Sequence, residues 1–297
     1  AKLNYDHTFG VHHVGAMVGY EQSETKGNYL QAYRGDYVSI SIPEIFAGSS
    51  DKNKQSNDGS SSQTARQNIF GRLSYDYAGK YLAQFTFRRD GSPNFPENKR
   101  YGFFPGFSLG WRISEEPFMK NLLFLDNLKI RGSYGSLGNN TLGSNRDNDG
   151  NYLSQSLYAQ TNYVLGRAVA MGLSQTAIAN ANLSWETTYI TNLGVDYNMF
   201  GNRLSGSLEF FNKKTDGILI DLPAPMVHCN ATIPKQNAAQ VTNKGVEFSV
   251  NWSDRVGKDF DYNVGFNFTY IKNNVDKFKG DEPSYDGARM LKEGLPI

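Results

Sequence analysis

Charge of one sign, long apolar runs and cysteine are all scarce in this 297-residue chain, and each shortage removes a class of protein. Thirty basic residues stand against 29 acidic ones, a net charge of +1, so no long-range field draws the chain to nucleic acid or to an acidic surface. No run approaches the roughly 18 to 20 apolar residues that a membrane-spanning helix needs. Cys229 is the single cysteine, which excludes a disulfide framework and a cysteine-based zinc site. The opening AKLNYDHTFG already alternates like a strand and lacks the pattern of a secretory leader.

What the chain has is aromatic and flexible: 19 phenylalanines, 18 tyrosines, 3 tryptophans and 30 glycines. That aromatic content is too high for disorder. Polar on average yet rich in Tyr, Phe and Gly, this is the composition of a β protein that can face lipid on one side.

Period-two alternation recurs along almost the whole chain. Val246, Phe248, Val250 and Trp252 share one face against Glu247, Ser249, Asn251 and Ser253. Tyr262, Val264, Phe266, Phe268 and Tyr270 repeat the pattern. Ten strands are expected, near 2–8, 11–22, 67–77, 80–90, 100–113, 126–137, 184–198, 203–215, 244–253 and 260–273. Most are twice the usual length of soluble strands, about 5 to 6 residues. Tilted by ~45°, such a strand climbs about 25 Å, the height of an outer-membrane apolar band.

Connection lengths alternate as well. Tight turns fall near Gly10, Ala78-Gly79, Phe200-Gly201 and Val256-Gly257, with long polar loops near 23–66, 138–183 and 216–243. The connections 91–99 and 114–125, similar in length, fit this parity least. Short turns on one rim and long loops on the other are the asymmetry of a transmembrane barrel. Arg72, Asp76, Arg88, Arg112, Lys129, Arg131, Asp196, Glu209 and Glu247 alternate with the apolar residues. Against lipid each would cost several kcal/mol, so they are expected to line a wet interior. The fold class expected is therefore all-β, a transmembrane antiparallel β-barrel. Residues 274–297 read as the start of another long loop, not as a closing strand. An open sheet in lipid leaves unsatisfied edges, so the whole of 1–297 is expected to be part of a larger barrel domain.

Residues 88–120, RRDGSPNFPENKRYGFFPGFSLGWRISEEPFMK, carry a resemblance. Through Arg88, Arg89, Asp90, Gly91, Ser92, Tyr101, Phe104, Pro105, Ser108, Gly110, Trp111, Arg112, Ile113 and Glu115 the stretch is similar to the SusC/RagA family of TonB-dependent outer-membrane transporters. LKIRGSYGSLGN at 128–139, NKGVEFSVNW at 243–252 and the opening hairpin resemble it too. The resemblance implies a 22-stranded barrel with a plug domain, of which this chain would supply about ten strands and no plug. It implies active import of a large nutrient, oligosaccharide or peptide, across a bacterial outer membrane. It further implies two partners: a SusD-like surface lipoprotein, and TonB, engaged through parts outside this chain.

Several patterns invite a chemical reading that the residues do not sustain. Gly106 to Gly110 match G-x-S-x-G, but the strand alternation continues straight through Ser108 and leaves no nucleophile elbow. Asn145, Asp147, Asp149 and Gly150 resemble the start of a calcium loop. Position twelve is Ser156 instead of Glu, which favours an Asn/Asp-rich turn over a bound calcium. His12 and His13 point to opposite faces; His7 and His13 are expected to share one, without a third ligand. His228 beside Cys229 is taken as incidental. No catalytic residue, cofactor or metal is expected. Tyr152, Tyr158, Tyr163 and Arg167 in the 138–183 loop are the substrate-binding candidates, since exposed tyrosines stack on sugars or hold peptides; packing of that loop is the competing role. Tyr77, Tyr81, Trp185 and Tyr197 are expected in the interfacial girdle. Two rival readings stay open: a closed ten-stranded outer-membrane hydrolase, needing paired Asp and His at the outer strand ends, and a soluble β-rich glycan-binding module.

Overall fold

The computed structural model describes residues 1–141, 154–220, 235–280, 284–286 and 289–297. Ten strands hydrogen-bond side by side, each antiparallel to its neighbours where the register is defined. They are β1 (Lys2–Phe9), β2 (His12–Arg34), β3 (Gln55–Tyr77), β4 (Tyr81–Gly91), β5 (Tyr101–Arg112) and β6 (Leu125–Asn139), then, after an inserted pair, β9 (Glu186–Met199), β10 (Leu204–Ile220), β11 (Gln236–Val256) and β12 (Phe260–Phe278). The inserted pair, β7 (Leu157–Leu165) and β8 (Ala168–Ala177), forms a separate two-stranded sheet. A short hairpin, β13 (Ser284–Asp286) and β14 (Arg289–Leu291), follows β12. β1 and β12 are the two ends of the ten-strand order, so this sheet is an open one.

All ten expected strands are present, but several run farther at the long-loop rim than alternation suggested. β2 and β3 occupy much of the expected 23–66 loop, and β11 starts at Gln236, inside the expected 216–243 loop. In β3 the cause is composition. QSNDGSSSQT at 55–64 is polar on both faces, so it carries no apolar period. The chain divides into two compact units, residues 22–66 and the remainder. Within 22–66, Gly35 N–H donates to the Lys54 carbonyl and 3-10 turns occupy Ile45–Ala47 and Lys52–Lys54. Val38 and Ile40 there are fully exposed.

The short-turn rim is made by backbone that needs φ > 0. Ala78 and Gly79 sit at φ 54° and 70°, and Phe200, Gly201 and Asn202 between 61° and 67°. Paired positive φ values give the primed turns whose twist matches that of the flanking strands. Asp76 accepts a 2.6 Å hydrogen bond from Gly79 N–H and fixes the first of these turns. The two connections of similar length also sort by rim. Residues 113–124 lie on the short-turn rim as two 3-10 turns, Ile113–Glu115 and Pro117–Met119, whereas the β4–β5 connection lies on the other.

Alternation sets the faces. The outward row Val264, Phe266, Phe268 and Tyr270 is more than half exposed, and it pairs with Trp252, Val250, Phe248 and Val246. No second sheet covers it among the described residues, which rules out a stacked sandwich. Residues 274–278, expected in a loop, extend β12. Residues 294–297 return along its free edge: Val275 N–H donates to the Leu295 carbonyl and Gly294 N–H to the Val275 carbonyl, each at 2.9 Å. That return buries Val275 completely.

Candidate functional site

The inner wall carries the charges that alternation placed there. Across one row of the sheet run Asp76, Leu82, Gly110, Arg131, Gly194, Glu209 and Glu247. Gly194 separates Arg131 from Glu209 in that row and lets the guanidinium lie flat across the strand. A Cβ there would stand 2.9 Å from Arg131 Cζ. Arg131 Nε donates to both Asp196 carboxylate oxygens at 3.2 Å, and Nη2 reaches Glu209. One cation thereby ties β6, β9 and β10 together on a half-exposed surface. Beside it a groove of about 410 Å³ is lined by His13, Ser74, Gln84, Ser108 and Lys129. A second, of about 460 Å³, runs past Arg72, Thr86, Arg88 and Ser133. Such a surface can hold water, sugars or peptide groups by hydrogen bonds without one dominant subsite.

The long-loop rim has a compact core that sequence reasoning missed. Phe95 and Leu183 are fully buried there, packed with Trp185 and Leu219. Phe95 and Trp185 have ring centroids 4.8 Å apart, and Phe104 meets Trp185 edge-on at 5.4 Å. Trp185 Nε1 donates to the Lys99 carbonyl at 3.1 Å. This overturns the expected girdle position of Trp185, because it seals the β4–β5 connection against the entry to β9. Asparagines complete the seal. Asn237 accepts from Ser184 N–H and donates to the Ser184 and Gly217 carbonyls; Asn140 donates to buried Ser92, and Asn180 to the Lys235 carbonyl. The available signal was a cluster of Asn beside Phe and Trp at strand ends, which reads as loop polarity unless the partners are known.

At the same rim, Asp276 accepts from Thr242, Gln240 and Asn274. Burial pushes its pKa up, but those hydrogen bonds outweigh burial and hold it below the usual carboxylate range.

The structure separates the substrate-binding candidates. Tyr158 pairs with Gln175 and Tyr163 with Ala170, an odd spacing that puts the two tyrosines on opposite faces of the β7–β8 hairpin. Tyr163 lies over Gly172, where a Cβ would be 2.5 Å from its ring, and its hydroxyl donates to the Leu173 carbonyl at 3.4 Å. Tyr163 thus rests on the hairpin's own backbone while its ring stays about half exposed. Arg167 is in the turn between β7 and β8. Tyr152 lies outside the described residues, as do Asn145, Asp147, Asp149, Gly150, His228 and Cys229.

The histidines also separate. His13 faces inward, its Nδ1 3.0 Å from Thr8 Oγ1 and its Nε2 3.4 Å from Asp6. His7 is on the outward row and meets Phe9 edge-on at 4.2 Å. The expectation that His7 and His13 share a face is thus wrong: the register pairs His7 with Val14 and His13 with Thr8. The described residues contain no cluster of three or more His, Cys, Asp or Glu able to hold a metal. The Asp6–His13 pair sits beside the Gly10 turn, on the short-turn rim, not at the outer strand ends where the hydrolase reading needs it. Ser108 lies in mid-strand on β5, between Gln84 and Ser133, so no elbow exposes it.

At the short-turn rim Tyr77, Tyr81 and Trp111 follow one another at 6.1 and 6.4 Å, and Phe124, Phe200 and Trp252 at 6.2 and 6.3 Å. Glu116, on the β5–β6 connection, accepts from Tyr81 hydroxyl at 2.7 Å and Trp111 Nε1 at 3.1 Å, with Lys80 Nζ at 3.3 Å. Those donors hold its pKa below the usual value, against the opposing effect of burial.

Comparison with known proteins agrees with this architecture. Residues 1–292 match the family described as TonB dependent receptor-like, beta-barrel. The chain is 32% identical to TonB-dependent receptor P3 of Formosa agariphila, over 99% of this chain and 30% of that protein. It is 35% identical to TonB-dependent receptor SusC of Bacteroides thetaiotaomicron, over 72% of this chain and 21% of SusC. The RagAB peptide importer in its closed-closed state superposes with a TM-score of 0.87 at 26% identity, over 99% of this chain and 32% of the matched one. The siderophore receptor PirA of Pseudomonas aeruginosa shares the fold, with a TM-score of 0.51 at 11% identity. The chain thus spans between about a fifth and less than half of the length of these relatives. An open antiparallel sheet with an apolar outer wall, a charged inner wall and unequal rims is what one sector of such a barrel must be: the chain belongs to the TonB-dependent receptor β-barrel family of the outer membrane.

Proposed function

We propose that the chain is one sector of an outer-membrane importer that takes up a large nutrient, an oligosaccharide or a peptide, by TonB-dependent active transport. The observation that carries this reading is the inner wall. The Arg131–Asp196–Glu209 network and the grooves beside it face a lumen wide enough to need no hydrophobic filling, and a small closed barrel could not bury them. In this reading the strands form the wall, and the rim locked by Trp185 supports the loops that meet substrate. Tyr158, Tyr163 and Arg167 are the candidates for substrate contact in the β7–β8 hairpin, Tyr152 being kept on sequence grounds alone. A SusD-like surface lipoprotein is the proposed outer partner, and TonB acts through parts of the protein beyond this chain. No enzymatic step is assigned.

The test uses the full-length protein in its own host. Deletion of its gene is expected to abolish uptake of a labelled oligosaccharide or peptide pool, and removal of TonB to do the same. A surface lipoprotein is expected to co-purify. Unchanged uptake of both pools after deletion would overturn the reading.

A further inference from the structure

Three glycines on the outward face of this sheet have an aromatic cover from the next strand. Gly71 lies beneath Phe87, Gly91 beneath Tyr101 and Gly206 beneath Tyr197. In each case the ring belongs to the directly paired residue of the next strand. A Cβ at these glycines would stand 2.5 to 2.7 Å from the nearest ring atom, so ring and glycine have exchanged volume. This is the aromatic rescue that offsets a strand glycine's lack of a side chain.

Gly132, in the middle of the outward wall, has no such cover. Its paired neighbours are Leu109 and Leu193, and a Cβ there would meet nothing closer than Asn192 O at 3.9 Å and Leu193 Cδ1 at 4.0 Å. Its φ is not positive, so neither backbone strain nor close packing calls for glycine. What the missing side chain does is open a slot. Together with Ala83, on the far side of Leu109 in the same row, it leaves a groove of about 560 Å³ against Tyr81, Trp111 and Ile130. The lining is almost entirely carbon, because the polar atoms of Tyr81 and Trp111 are both engaged by Glu116.

We infer that this slot is a binding site for an acyl chain of a membrane phospholipid, taken from the leaflet at the short-turn rim. The slot opens on the outward wall, where the solvent is hydrocarbon, so an apolar chain is the group at hand. The Tyr81–Trp111 pair marks the rim and therefore the leaflet, since such rings settle at headgroup level. The chain lies over Gly132 as Phe87 lies over Gly71. The inference depends on membership of the barrel family and is independent of what the protein imports.

The experiment places the full-length protein in nanodiscs containing a minor fraction of phosphatidylethanolamine with a diazirine on its acyl chain. After irradiation, labelled peptides are mapped by mass spectrometry. Several-fold enrichment is expected on peptides holding 81–83, 109–111 and 130–132, relative to the equally outward row 264–270. The double substitution Ala83→Leu with Gly132→Leu fills the slot and is expected to bring that enrichment down to the background of the other rows. Uniform labelling of all outward rows in the unaltered protein overturns the site, whether or not the variant folds. So does enrichment that survives filling of the slot in a variant that does fold. Enrichment lost when detergent replaces the bilayer but restored by phosphatidylethanolamine supports a phospholipid site over a general apolar one.

Discussion

Gly194 and Arg131 show how much one missing atom can decide. The guanidinium crosses β9 to reach Glu209 on β10 because the intervening strand has no Cβ at position 194. Gly194→Val is expected to lower barrel stability by about 1–3 kcal/mol, the overpacking range, read as an earlier heat-induced loss of the compact band on a denaturing gel. Gly132→Ala, where space is open, is expected to leave that transition unchanged or raise it. Glu116 gives a pH signature. Its folded pKa is depressed, so its contribution is present at neutral pH and is lost as pH falls through the folded value. Asp276, with a pKa lowered in the folded state, acts in the same direction. Acid titration of the full-length protein is expected to loosen the short-turn rim, seen as a change in Trp fluorescence below the ordinary carboxylate range. Glu116→Gln removes that dependence while keeping side-chain size; an unaltered acid profile in this variant would refute the assignment.

At the scale of single elements, alternation located the strands and the turns set the register. Ala78-Gly79 and Phe200-Gly201 stand out in the sequence because their flanks alternate so cleanly. The outer extension of β3 was not legible, since Ser, Asn and Gly on both faces carry no apolar period; in β2 and β11 the extensions have too few regularly spaced apolar residues to show one. Trp185 misled for a different reason. A tryptophan at a strand end suits a girdle equally well, and only the neighbours Phe95, Phe104 and Leu183, brought from other segments, make it a core residue. Trp185→Ala is expected to cost up to about 3–5 kcal/mol and to raise hydrogen exchange across 92–99 and 217–220, leaving β1 and β12 protected. The bulge in β10 at Gly217 has φ 67°. Gly217→Ala is expected to cost about 1–2 kcal/mol of backbone strain, with increased exchange confined to the β10–β11 end.

For the whole molecule the decisive property is that its two faces meet different solvents. Phe266 and Gly265 are adjacent in β12 yet belong to opposite walls. Arginine in place of Phe266 is expected to cost about 2–4 kcal/mol if it lies near the bilayer midplane, against roughly nothing for Asn251→Arg on the inner wall. Folding yield into phospholipid vesicles measures the difference. Equal yields for the two variants would show that the outward row does not face lipid.

The sequence by itself determined the barrel wall, because period-two alternation, strand length and turn parity are local properties that each segment carries alone. It also carried the family, through the block around Arg88 to Glu115. Which distant residues share a surface was decided only by tertiary structure. The rim core around Phe95, the guanidinium bridge across Gly194, the opposite faces of Tyr158 and Tyr163, and the uncovered Gly132 all depend on the register between strands. Register is fixed by the turns and by the summed pairing of whole strands, so no single segment encodes it.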